Sequence, residues 1–179
     1  MGIVVSVAAY GEHQFSKTPC AEILLTTGFG VEGDCHYGEK VQHRSRVAKN
    51  PDQPNLRQVH LIHEELFNEL ATQDFHVQAG EMGENILTRN IALLDLPQKT
   101  RLYIGEDVML ELTGLRNPCK QIDAFQSGLM HALIDKDAQG NLIRKAGVMS
   151  VVVQGGVVRP DDRITIALPD GKHSQLEPV

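Results

Sequence analysis

The sequence predicts a mostly-β fold, a barrel or sandwich carrying a few helices. Three observations point there. Short β-branched or alternating apolar segments recur along the chain. Glycine, aspartate and asparagine turn signals separate them, helped by 16 glycines in 179 residues. The regular strand–helix alternation of a parallel α/β sheet is missing.

Taken in order, residues 2–9 are apolar and β-branched, a buried strand, and residues 21–27 form a second. Gly28, Gly30, Gly33 and Asp34 make a turn-rich connection. Residues 36–55 are polar and carry two prolines, so they read as a long loop. A short strand at 57–62 precedes a helix at 64–73, with Leu66, Phe67 and Leu70 on one face and His63 at its start. Gly80 and Gly83 bracket a turn before strands at 85–88 and 101–104. Residues 108–113 alternate with period 2, with Val108, Leu110 and Leu112 facing inward. Asn117 reads as a helix N-cap, and Ile122, Phe125, Leu129 and Leu133 carry helical spacing to about residue 134. A strand at 149–154, a hairpin turn at Gly155-Gly156 and an alternating strand at 163–168 complete the pattern. Residues 1–170 read as one domain, and 171–179 as a polar, frayed tail.

Composition removes several function classes. The net charge is −6 and the isoelectric point about 5.7, so the basic footprint of a nucleic-acid binder is absent. No run approaches 18 apolar residues and no signal peptide opens the chain, so no membrane partner is expected. Three cysteines, an odd number, argue against a secreted disulfide framework and for the cytoplasm. They are too few for an ordinary iron–sulfur cluster, and no flavin, haem or glycine-rich nucleotide motif is present.

The chemistry concentrates in three stretches. In Arg116-Asn117-Pro118-Cys119-Lys120, a thiol in the first turn of a helix, flanked by Arg116 and Lys120, is placed to favour the thiolate. That is the condition for a nucleophile or a soft-metal ligand; the alternative is a thiol packed as a small hydrophobe. In Gly33-Asp34-Cys35-His36, a tight turn brings Asp34 and His36 near a ligand or each other. In Gly80-Glu81-Met82-Gly83-Glu84-Asn85, the glycines permit a close backbone approach and Asn85 offers donor and acceptor. A zinc set drawn from Cys35, His36, His43, His60 and His63 matches no standard spacing. A Cys119 hydrolase with His60 or His36 as base lacks a family-type signature.

Taken together, five stretches in order resemble a known family. They are Val31-Glu32-Gly33-Asp34-x-His36; Arg57-Gln58-Val59-His60-Leu61-Ile62 with Glu64 or Glu65; Gly80 to Ile86; Leu102-Tyr103-Ile104-Gly105; and Leu110-Glu111-Leu112-Thr113 leading to Arg116-Asn117-Pro118-Cys119. The set resembles the MOSC domain, the C-terminal domain of molybdenum cofactor sulfurases, in its stand-alone bacterial form. The resemblance implies a closed β-barrel with helical excursions. It implies that Cys119 ligates the molybdenum of a pterin-bound cofactor and, with Asp34 and His36, does the catalytic work. Arg57, His60, Gly83, Asn85, Arg116, Asn117 and Lys120 would hold that cofactor, its phosphate needing cations and backbone donors. Related members reduce N-hydroxylated compounds, which here requires an external reductase as partner. Others pass sulfur, so a carrier of cofactor, or of a persulfide on Cys119 received from a sulfur donor, is the alternative.

Overall fold

A computed structural model describes residues 1–179. In chain order the strands are β1 (Gly2–Ala9), β2 (Thr18–Cys20), β3 (Ile23–Thr26) and β4 (Gly30–Val31). A short helix α1 (Arg44–Val47) interrupts the predicted loop before β5 (Val59–His63), α2 (Glu65–Ala71) and β6 (Ile86–Arg89). A 3-10 turn at Leu93–Asp95 leads to β7 (Arg101–Ile104) and β8 (Val108–Leu115), then α3 (Lys120–Phe125) and α4 (Leu129–Ala132). The chain ends with β9 (Ile134–Lys136), β10 (Leu142–Arg144), β11 (Val148–Gln154), β12 (Gly156–Val158) and β13 (Arg163–Ala167).

β1 is paired on both sides, to β6 and to β13, and this closes a seven-stranded barrel. Around it run β1, β6, β5, β11, β8, β7 and β13, all antiparallel neighbours except the parallel pair β5–β6. Closure removes the free edges that an open sheet would expose. Period-2 alternation sends Leu61, Leu110, Leu112 and Ile164 into one core of 20 buried residues, and an irregularity of β1 between Val4 and Ser6 lets both Val4 and Val7 join it. The opposite face of β5 and β6 is also dry. There Ile62 and Leu87 meet Leu66, Phe67 and Leu70 of α2, with Ile122 and Leu129 of α3 and α4, in a second core of 10. The helical excursions therefore cover one wall of the barrel.

Four expectations need correction. The predicted helix to residue 134 breaks in two, because Gln126 turns extended and Gly128 takes φ +86, which ends one helix and starts another. The helical spacing survives because Ile122, Leu129 and Leu133 still share one buried surface. Gly155-Gly156 is not a hairpin turn; β12 leaves β11 and pairs with β3 instead. His63 ends β5 and does not begin α2. The tail is docked, not frayed: Leu176 is 7% exposed within the barrel core, and Leu115 exchanges backbone hydrogen bonds with Glu177 and Val179.

Candidate active site

A cleft of about 280 Å³ gathers loops at the ends of these elements. The β1–β2 connection contributes His13, Phe15 and Lys17, the turn after β4 His36, and α1 with its cap His43 and Arg44. Arg57 enters just before β5, which carries His60, and Gly83 and Asn85 precede β6. Arg116 follows β8, and Gln121 projects from α3. The lining holds Lys17, three arginines and four histidines, and no carboxylate, in a chain of net charge −6. Such walls concentrate positive potential and select an anion.

Behind the lining a polar network sets the geometry. Asp34 is fully buried and Lys17 Nζ lies 2.7 Å from its Oδ2. Asn85 Nδ2 donates to the same oxygen at 3.0 Å, and the His36 backbone N–H and Nδ1 donate to Oδ1 at 2.9 and 3.1 Å. Burial opposes the Asp34 charge, but the His36 and Lys17 donors outweigh it and hold its carboxyl well below the usual range. Lys17 has Asp34 as its sole side-chain partner, and burial lowers its pKa. The Asp34 acceptor also fixes the His36 tautomer, so the Nε2 of that ring carries the free lone pair.

His60 is held from two sides. Asn85 Oδ1 accepts its backbone N–H at 3.1 Å, and its Nε2–H donates to the Ala146 carbonyl at 2.8 Å. The second bond needs the chain to pass close by: Gly147 has φ +97, and a Cβ there would meet His60 Nε2 at 2.7 Å. Burial, then Arg116, drives the His60 pKa well below its ordinary value. Gly83 is equally constrained, with φ +78 and room for no Cβ against the Phe15 carbonyl. Arg116 donates to the Met82 carbonyl and lies 5.5 Å over the Phe15 ring. Burial and the neighbouring Arg46 and Arg116 lower Arg57 to about 10, while a charge on Cys119 acts in the opposite sense.

Of the residues expected at the site, His36, Arg57, His60, Gly83, Asn85 and Arg116 line the cleft together. Asp34 stands behind them. Cys119 does not line the cleft; it lies half-buried beside two groups that do, with its Sγ 3.7 Å from Gln121 Oε1 and near enough to Arg116 to couple to it electrostatically. Asn117 and Lys120 are exposed outside the lining. Asn117 is not the helix cap: Cys119 occupies that position with φ −133, and Asn117 Oδ1 accepts from Arg144 Nε at 3.0 Å. The helix behind Cys119 is six residues long, so few peptide dipoles align behind the thiol.

The zinc set does not converge. His63 lies at another surface, and the nearest group, Asp34, Cys35 and His36, has its carboxylate lone pairs engaged by Lys17, Asn85 and His36. No histidine hydrogen-bonds Cys119, so the hydrolase dyad is absent. The sequence reading missed Lys17, His13 and Gln121 and gave His43 a metal role. Its one available signal was eight histidines in an acidic chain.

A family model described as the MOSC domain matches residues 32–165. The chain belongs to the MOSC domain family. Among solved structures this MOSC protein is similar to the YuaD protein from Bacillus subtilis, with TM-score 0.74, 20% identity and 97% of each chain covered. It is also similar to YiiM from Geobacillus stearothermophilus, with TM-score 0.66, 17% identity, and 93% of this chain and 75% of that one covered. YiiM from Escherichia coli gives TM-score 0.60 at 19% identity, covering 96% and 73%. At these identities the likeness speaks for the fold. No curated protein matches the chain. No helix of this MOSC protein is long and apolar enough to cross a membrane.

Proposed function

We propose that this MOSC protein holds a molybdenum cofactor in the cleft and reduces N-hydroxylated bases or related N–O compounds, with electrons from a separate reductase. One observation carries the reading: Arg57 Nε is buried without a partner in a carboxylate-free cationic wall, beside the Cys119 thiol. Buried donors are normally bonded, and an anion in the cleft would supply the acceptor that Arg57 Nε lacks within the protein. A phosphate-bearing, sulfur-ligated group fits both features, an anion for Arg57 and Arg116 and a soft ligand site at Cys119.

Cys119 would be the protein ligand to the metal. Arg57 and Arg116 would bind the anionic end, while His60 and Asn85 line the floor and Gly83 keeps it open. Bound there, the cofactor supplies a two-electron metal centre. The chain's own contribution is positioning: Asp34 orients His36 into the cleft, and the arginine wall sets the polarity. Because Cys119 Sγ is half-exposed and only weakly bonded, it is also open to a sulfur donor, which favours the carrier role as the second reading.

The test is metal and pterin analysis of protein made in a cofactor-producing host, followed by turnover of an N-hydroxylated purine with an artificial electron donor. About one molybdenum per chain, lost in Cys119→Ser, is expected. Equal metal content in both proteins refutes the ligand role. Retained cofactor without turnover moves the protein to the carrier reading, which a persulfide on Cys119 after incubation with a cysteine desulfurase supports.

A further inference from the structure

In the cleft, Arg57 Nε is buried without a partner, and the half-buried His43 ring makes no hydrogen bond to the protein. Each of the other histidines is committed through one ring nitrogen. His13 Nε2 bonds the Gln42 carbonyl at 3.0 Å, His36 Nδ1 the Asp34 carboxylate at 3.1 Å and His60 Nε2 the Ala146 carbonyl at 2.8 Å. His43 packs on His36, ring centroids 4.8 Å apart, and leaves both of its nitrogens free for the cleft contents.

The groups facing His43 all carry or can carry positive charge. They are Arg57 before β5, Arg116 after β8, His36 after β4, and Arg46 on α1, with Arg44 beside it in sequence. The nearest carboxylate, Asp34, stands behind His36 and is already engaged by Lys17, Asn85 and His36. An imidazolium in that company has nothing to stabilise it. An anion seated against Arg57 and Arg116 reverses the local field and supplies the missing counter-charge.

We propose that His43 is a catalytic proton donor of this cleft: it takes up a proton when an anion occupies the Arg57–Arg116 wall, and releases it to the oxygen leaving an N–O substrate. The second half rests on the function proposed above. For a hydroxylamine R–NHOH, the N–O bond breaks and nitrogen accepts two electrons from the separate reductase. The departing hydroxide takes the His43 proton and leaves as water. The nitrogen takes a second proton from solvent, giving R–NH₂. Burial first, then Arg57, His36 and Arg116, push His43 down to about 3 in the unliganded cleft, which leaves the ring neutral there.

The experiment uses the full chain without molybdenum, with histidine rings followed by NMR as pH is varied, and inorganic pyrophosphate as the probe. Saturating pyrophosphate is expected to raise the proton affinity of His43 by about 10³-fold or more, carrying its titration from about 3 to about 6 so that imidazolium is measurable near neutral pH. His43→Gln removes that resonance and the proton taken up per anion, measured by calorimetry in two buffers. In cofactor-loaded protein, His43→Gln lowers kcat by about 10²-fold with KM little changed and loses the matching limb of the pH profile. The proposal is overturned if pyrophosphate leaves His43 unmoved, if it does not bind at millimolar concentration, or if His43→Gln keeps wild-type kcat. A chain that retains no molybdenum while His43 still answers pyrophosphate refutes the cofactor reading and supports the anion-linked protonation.

Discussion

Replacing Lys17 by methionine tests the network that aims His36. The Lys17 and Asp34 side chains are 4% and 0% exposed and 2.7 Å apart, so solvent screens little of their attraction. As a pair they sit near break-even, since both charges left water to form it. Removing one partner is different, because it strands the other: breaking a buried pair costs about 3–5 kcal/mol. Asp34 would keep its bonds from Asn85 and His36, which places the expected loss near the lower end, about 3 kcal/mol. For a domain of this size that is a fall in Tm of roughly 6–12 °C. Asp34 has a folded pKa below its unfolded value, so its contribution is present above about pH 4 and fades as the pH falls further. Without Lys17 that folded pKa rises, and the gap between variant and wild type narrows from pH 7 to pH 4. The assay is urea unfolding at both pH values, with Lys17→Met/Asp34→Asn as the control expected to recover most of the loss. A loss under about 1 kcal/mol, or one equally large at pH 4, would refute the argument.

Two further substitutions probe groups that the proposed chemistry does not use. Burial raises Glu84 to about 7, and its Oε2 has no partner, so the folded protein binds more protons than the unfolded chain and loses stability as the pH rises from about 4.5 to 7. Glu84→Gln should remove that slope and exceed wild type by about 3 kcal/mol at pH 8; unfolding curves with an unchanged slope would contradict this. Leu176→Ala should cost about 2 kcal/mol by thermal or urea unfolding, and a neutral result would mean the tail contributes nothing to the barrel.

Much of the barrel was legible because a half-buried strand writes its own pattern. Val108, Leu110 and Leu112 are buried as their alternation predicts, and Leu66, Phe67 and Leu70 form the buried face of α2. The breaks were harder. Gly128 looks like any helical glycine until its φ of +86 is seen, and Gly155-Gly156 carries a hairpin signature although the next strand pairs with β3 instead. The tail is polar in sequence, and its backbone bonds to Leu115, with Leu176 as its one apolar anchor, decide that it docks.

The sequence alone determined the short alternating strands, the glycine turns, the acidic balance and a cysteine following a proline, because these are local patterns of period, conformation and charge. Only the tertiary structure decided which groups share the cleft. Asp34 meets Asn85 across 51 residues, and His60 meets the Ala146 carbonyl across 86. Lys17 comes to Asp34 for the same reason. A buried polar group must find a partner wherever the closed barrel brings one, and sequence distance does not enter that requirement. His43 is the informative exception: the fold places it among cations and gives it no partner.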